Sequence, residues 1–534
     1  MKSIVLLGGS NSVMQNGLQK GLKDALMSCG GGGVEFHNLA VGGCSSSQKI
    51  ITILKNQKMF QNADLIVIET NINDFDVWAY LDFSFSVICR NFEALCRLLA
   101  SFNTKILFLI LPFADKKVQN LAINNFELYH IKKYGFNFID MQSYYENEDL
   151  SDFYSVGFYG ARDFWHQLPS LMRELGRNII LNLKQFHHHK KDSVKLPNFI
   201  AKSPLQLFEN LDKNKINFKE NSLLNKEIYK LKKGEKLYFK KEFEGYVLIG
   251  LGIWLDEKEN NYSSASFILQ NDRIKIVKMH SGAYYLFHTF EKEFNISKQA
   301  FICFNDDDEK RTEQSHNLFI GLPYDEDIYR HVPNTLENLN LTEDFLLVKP
   351  DENFKIDAHY DFKTLANLEV QIDEKYNFSH LIPDVVLFKE IIEEYNARMD
   401  PVKIAPLQAE IENLKCELNQ FKVNPLQAEI KNLKLELHQK KQNSIQTHLA
   451  YKLGRAIIEN YRSFWGFLGL PFVLNYIAKK HKKEANILPC DENEKQILSY
   501  QLGLAFIKAH KAWYKGGYMW FIFRALSLKK QFGR

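Results

Sequence analysis

The sequence predicts an α/β domain on a parallel sheet, then a β-sandwich-like domain, a short coiled-coil segment and a helical basic tail. Three observations lead there. Residues 1–185 alternate apolar strand-like runs with helically spaced ones, the pattern of successive βαβ units. Residues 196–395 carry short runs rich in aromatic and β-branched side chains, and the rest of the chain, 396–445 and 446–534, contains two internal repeats.

In the first domain Ile4–Leu7 is a short apolar run, and Gln15–Met27 has helical spacing through Leu18, Leu22, Ala25 and Leu26. "DLIVIE" (Asp64–Glu69) and "KILFLIL" (Lys105–Leu111) are continuous β-rich runs, as strands covered on both faces should be. Phe136–Ile139 resembles a fourth strand. "CGGGGVEF" (Cys29–Phe36) lacks the Lys-Ser/Thr of a phosphate-binding loop and reads as a variable surface feature encoded by a guanine-rich tract. "FHHHKKDS" (Phe186–Ser193) is a polar break. Adjacent histidines diverge on any regular backbone, so it reads as a solvated linker rather than a metal site.

Beyond it, runs such as "GYVLIGLGIWL", "SASFILQ" and "RIKIVKM" predict an antiparallel sandwich. Trp254 and Tyr284 there are either core residues or carbohydrate-binding aromatics. A nineteen-residue unit then occurs twice, at Pro406–Asn424 and Pro425–Asn443. Leu407, Ile411, Leu414, Leu418 and Phe421 step by four and three, the seam of a coiled coil. Pro425 breaks the phase, so a short spacing or homo-oligomerising element is expected. In the tail, "YKLGRAII" (Tyr451–Ile458) recurs as "YQLGLAFI" (Tyr500–Ile507), each followed by a basic aromatic segment. That composition suits either an interfacial helix on the anionic inner membrane surface or a helical mini-domain with a basic outer face. No nucleic-acid recognition motif accompanies the charge.

The charge is uneven. The net +4 combines 16 Lys and Arg against 5 Asp and Glu from Lys441 onward with 52 against 59 in the first 440 residues. The seven cysteines are scattered, without a C-x-x-C pair. That points to a reduced, cytoplasmic chain with neither a disulfide framework nor a zinc site, and no metal or cofactor is expected. The apolar run before Gly8 is too short for a signal peptide, and no run reaches the roughly 18 apolar residues of a membrane span.

Strand ends carry the candidate chemistry, since functional residues in parallel sheets collect at the carboxyl edge. "LLGGSNSV" places Ser10 after the first strand, at the start of a helix whose amide end can face a developing oxyanion; Ser12 is a rival nucleophile one step further in. "NLAVGGCSS" adds Gly43, and "IETNINDF" adds Asn73, a neutral donor. "GARDFWHQLP" sets Asp163 three residues before His166, so a carboxylate can orient a general base.

Taken in order, these blocks resemble the SGNH (GDSL-like) hydrolase superfamily over about the first 185 residues. The resemblance implies a flavodoxin-like sheet, Ser10 as nucleophile, the Ser10 amide with Gly43 and Asn73 as oxyanion hole, His166 as base and Asp163 as its partner. Two positions depart from the family pattern: Gly9 replaces the Asp of Gly-Asp-Ser, and Asn71 replaces the Gly of Gly-x-Asn-Asp. The tail signature is similar to C-terminal segments of capsule-locus sugar transferases, some of which attach O-methyl phosphoramidate. The joint expectation is a transferase that passes a methyl phosphoramidate or acyl group from a nucleotide-activated donor, such as a CDP-linked one, to a capsular polysaccharide. The alternatives are a carbohydrate O-acetylesterase and a non-catalytic glycan-binding scaffold.

Overall fold

The computed structural model describes the chain except residues 1, 30–33, 80–82, 114–117, 151–152, 154–164, 191–194, 210, 257–262, 283–284, 314–332, 352–353, 356–357, 419–423, 484–491 and 534. Two compact units result, Met1–Glu394 and Tyr395–Arg534.

The first unit opens with β1 (Lys2–Leu7), α1 (Ser10–Val13), α2 (Leu18–Cys29), β2 (Val34–Asn38), α3 (Ser46–Lys55), α4 (Gln57–Asn62) and β3 (Leu65–Ile68). It continues through α5 (Asn71–Ala79), α6 (Phe85–Ala100), β4 (Lys105–Ile110), α7 (Val118–Tyr134), β5 (Asn137–Asp140), α8 (Met141–Asn147) and α9 (Pro169–Leu181). The five strands run parallel in the order β2-β1-β3-β4-β5, the flavodoxin-like arrangement. Winding reverses between β1 and β3, so the crevice beyond their carboxyl ends is where such a sheet receives a ligand. Ile4–Leu7 and Leu65–Ile68 are buried throughout, which is why those strands read as unbroken apolar runs. Strand β2 alternates apolar and polar residues because it is an edge strand. The expected helix at Gln15–Met27 is cut at Gly17: one turn, α1, follows Ser10, and α2 starts at Leu18.

The β-rich part comprises β6 (Asn198–Lys202), α10 (Pro204–Leu207), β7 (Ile216–Glu220), β8 (Asn225–Lys232), β9 (Lys236–Tyr238), β10 (Val247–Trp254), β11 (Ser264–Gln270), β12 (Lys275–Ser281), β13 (Tyr285–Asn295), β14 (Phe301–Phe304) and β15 (Asn338–Lys349). One antiparallel sheet runs β13-β10-β15-β8-β7, with β6 also on β15, and a second runs β12-β11-β14-β9. Leu248, Leu251 and Ile253 of β10 point into a core shared by both sheets, whereas Val247 and Ile249 join the core of the α/β domain. Alternation along the strand therefore serves two cores, and every residue of β10 is buried. Trp254 is one of these core residues; Tyr284 lies outside the described residues.

The chain then returns to the parallel sheet through α11 (Phe362–Ala366), and the Phe378 N–H donates to the Phe138 carbonyl at 2.8 Å. That contact covers the open edge of β5, which would otherwise present unpaired backbone groups. The histidine run is held on the same side by its backbone and by buried His189, while His187 and His188 are exposed. Asn137 bonds both the N–H and the carbonyl of His187, at 2.9 and 2.8 Å, and buried His189 meets the Phe102 carbonyl at 2.6 Å.

The second unit is helical. Helix α12 (Val385–Leu418) spans the division, followed by α13 (Asn424–Gln446), α14 (Leu449–Asn460), α15 (Phe464–His481), α16 (Leu498–Lys511) and α17 (Gly517–Gln531). Leu453, Ile457, Leu474, Leu502 and Leu528 form its core. The tail repeat packs on itself: a Cβ at Gly454 would lie 1.6 Å from the Ser499 carbonyl oxygen, and one at Gly503 would lie 1.7 Å from that of Ala450. Ala450 and Ser499 are related by the same offset as the two glycines, so α14 and α16 cross as a pseudo-symmetric pair held close by their repeated glycines. Among the described residues no helix is long and apolar enough to cross a membrane.

Candidate active site

The turn between β1 and α1 carries Ser10 to the crevice. Its hydroxyl lies 2.7 Å from His166 Nε2, on the segment that enters α9. A hydroxyl so placed can pass its proton to the imidazole as its oxygen attacks. Asp163 lies outside the described residues. Ser12 is fully buried and gives its hydroxyl to Glu69 Oε1 at 3.0 Å, so of the two serines Ser10 is the one that meets the histidine.

Asn73 sits directly over the turn: a Cβ built on Gly9 would meet Asn73 Oδ1 at 1.8 Å. Its side chain makes no hydrogen bond among the described residues, which leaves an amide donor beside Ser10. Gly43 reaches the same edge through its loop. Val41 donates to the Gly8 carbonyl at 3.0 Å and Cys44 to the Val41 carbonyl at 3.1 Å, closing a turn in which Gly43 has φ +69°. The third position of a type II turn requires such a positive φ, and glycine supplies it without strain. After Ser10 the helix α1 is a single turn, in which the Ser12 and Val13 N–H groups both donate to the Gly9 carbonyl, at 3.1 and 3.2 Å. A full macrodipole is absent.

Two residues that sequence reasoning did not single out hold the pair in place. Asn11, buried, donates through Nδ2 to the Trp165 carbonyl at 2.8 Å and accepts the Gln167 N–H through Oδ1 at 3.1 Å. It thereby grips the backbone on both sides of His166 from the residue next to Ser10. Glu69, at the end of β3, accepts the Gly9 N–H at 2.5 Å. Neighbouring Asn71 ties two strand ends together. Its amide exchanges hydrogen bonds with the Leu111 carbonyl and N–H, at 2.7 and 3.2 Å, and so adds a side-chain rung between the ends of β3 and β4.

Beneath the turn lies a buried ionic cluster. Lys49 donates to the Cys44 carbonyl and to Thr70 Oγ1, while Asp74 accepts from the Ser46 N–H at 2.9 Å, the Ser46 hydroxyl and Thr70 Oγ1 at 3.0 Å. Burial pushes the Glu69 and Asp74 carboxyls up, and the Lys49 ammonium opposes it in both. Glu127 is pushed well up by burial and by the Asp74 charge. Neither of its oxygens has a hydrogen-bond partner among the described residues.

The strand order, the crevice and a serine on a histidine place the first third of the chain among α/β folds that carry their site at the sheet's carboxyl edge. It is similar to a lipase/acylhydrolase from Enterococcus faecalis, 18% identical, over 36% of this chain and 100% of that one, with a TM-score of 0.29. It is also similar to the acetylxylan esterase Axe2 from Geobacillus stearothermophilus, 14% identical over 35% and 95% of the two chains, TM-score 0.28. TesA is 16% identical over 34% and 98%, TM-score 0.27. A family profile described as a domain of unknown function (DUF8374) matches residues 364–488 and 491–534. Comparison with curated proteins gives no match.

Proposed function

We propose that the protein is a serine-dependent transferase that attaches an acyl or methyl phosphoramidate group to sugars of a bacterial capsular polysaccharide. The observation that carries the chemistry is the 2.7 Å approach of Ser10 Oγ to His166 Nε2 at the switch point of the sheet. In this reading the Ser10 oxygen attacks the carbonyl or phosphoryl centre of a nucleotide-activated donor while His166 takes its proton. The Asn73 amide and the N–H groups of Ser10 and Gly43 bind the negative charge that develops, and Asp163 steadies the imidazolium. The leaving group departs with the proton from His166. A sugar hydroxyl, deprotonated in turn by His166, then attacks the covalent Ser10 intermediate and frees the enzyme.

The choice of a sugar over water rests on the tail. Helix α15 exposes Trp465, Leu468, Phe472 and Tyr476, and α17 exposes Met519, Ile522, Phe523 and Leu526. The first set steps by three and four residues and the second occupies positions i, i+3, i+4 and i+7, so each set lies along one face. Lys479 and Lys480 lie in the last turn of the first helix with Lys482 and Lys483 just beyond it, and Lys529 and Lys530 lie in the last turn of the second. Exposed aromatics beside cations match the headgroup region of an anionic leaflet, where lipid-linked polysaccharide is assembled and a hydrolase would undo the product. Co-sedimentation with phosphatidylglycerol vesicles, lost in Trp465→Ala/Phe472→Ala/Phe523→Ala, supports that placement; equal binding by the variant rejects it.

The function is tested by incubating purified protein with activated donor and polysaccharide. Transfer to the sugar is expected. Consumption of donor to water alone, together with acetate release from acetylated sugar, identifies a carbohydrate O-acetylesterase instead. Unchanged capsule modification in cells carrying Ser10→Ala and His166→Ala identifies a glycan-binding scaffold.

A further inference from the structure

We propose that α12 and α13 pair with the same helices of a second copy of this chain, parallel and in register. Ile404, Leu407, Ile411, Leu414 and Leu418 of α12, and Ile430, Leu433 and Leu437 of α13, are all exposed to about half their surface. Their steps of three and four assign Ile404, Ile411, Leu418, Ile430 and Leu437 to the a positions of heptads, and Leu407, Leu414 and Leu433 to the d positions. Isoleucine at most a positions with leucine at every d favours two parallel strands.

The flanking charges choose the partner and its direction. Glu410 and Glu429 occupy g positions, and Lys415 and Lys434, each five residues later, occupy e positions. In a parallel, in-register pair, each g residue faces the e residue five positions on in the other helix. Glu410 then meets the partner's Lys415, Glu429 meets the partner's Lys434, and symmetry doubles both contacts. In an antiparallel pair g faces g and e faces e, which sets Glu against Glu and Lys against Lys. None of these four side chains has an ion pair of its own among the described residues, so all four are available. The seam is complementary to itself, and the nineteen-residue repeat presents the same pattern twice. That is the signature of self-association rather than of a groove for an unrelated helix.

Sedimentation of the full-length chain tests this. The wild-type chain is expected to be a dimer. Glu410→Lys/Glu429→Lys and Lys415→Glu/Lys434→Glu, all at exposed positions, are each expected to weaken it by about tenfold or more, and an equimolar mixture of the two variants to restore it. Direction is read in a Cys416→Ser background, with that parent as control. Leu414→Cys should form an interchain disulfide on oxidation, because d positions face each other only in the parallel register. A monomeric wild type, a trimer, a mixture no tighter than its components, or a dimer that does not crosslink through position 414 overturns the proposal.

Discussion

The Glu69 carboxylate accepts the Gly9 backbone N–H at 2.5 Å, so the turn that carries Ser10 is anchored by an acid from the neighbouring strand. The turn itself carries no acid, since Gly9 stands beside Ser10. Here an Asp cannot stand there while Asn73 keeps its place, because even a Cβ would fall 1.8 Å from Asn73 Oδ1. Gly9→Asp is therefore expected to lower, not raise, the rate at which a fluorophosphonate labels Ser10. Glu69→Ala strands the buried Gly9 N–H and Ser12 hydroxyl, at a cost of roughly 1–3 kcal/mol for each unsatisfied group. Thermal unfolding of both variants checks the stability side, and faster labelling in Gly9→Asp contradicts the packing argument.

Asn11 acts through the backbone of residues 165 and 167, so it is a positioning residue. Asn11→Ala should lower kcat by on the order of a hundredfold, since small misplacements of a catalytic group carry such costs. KM and the pH profile should hold, because no titrating group is removed. A shifted pH profile would assign Asn11 a different role.

Glu127 makes a prediction about pH. Its ordinary value is 4.5, and burial raises it well above that in the fold. Between the two values the unfolded chain is ionised while the folded chain keeps its proton. Unfolding then releases a proton, and stability declines as pH rises, by up to about 1.4 kcal/mol per unit. Glu127→Gln removes that penalty, so its advantage over wild type in thermal midpoint should grow as pH rises above the ordinary carboxyl value of 4.5. Parallel curves for the two proteins contradict this.

The tail repeat predicts its own weak points. Gly454→Ala and Gly503→Ala insert a methyl where a carbonyl oxygen stands 1.6 and 1.7 Å away. Each should destabilise the helical unit by about 1–3 kcal/mol, the usual cost of overpacking. Loss of helical circular dichroism at lower temperature in each variant, with labelling of Ser10 unaffected, is the expected result.

Much of this was legible in the sequence because it lies in local patterns. Strands β1, β3, β4 and β5 announce themselves as apolar runs, and Ser10, Asn73 and His166 stand in the order in which a parallel sheet brings them together. Strand β2 escaped because an edge strand need not be apolar on both faces. Asn11 escaped because its partners are 154 and 156 residues away, and an Asn after a Ser reads locally as a helix cap. Glu69 looked like the mere end of a strand; only the fold lays it against Gly9. The repeated glycines were visible, but their purpose appears only when α14 and α16 cross.

Intact mass after exposure to a fluorophosphonate decides whether Ser10 is a nucleophile activated by His166, since only an activated serine reacts readily. One adduct is expected, mapped by peptide sequencing to Ser10, absent in Ser10→Ala and slowed about a hundredfold or more in His166→Ala. An unmodified wild-type chain, or an adduct on Ser12, would contradict it.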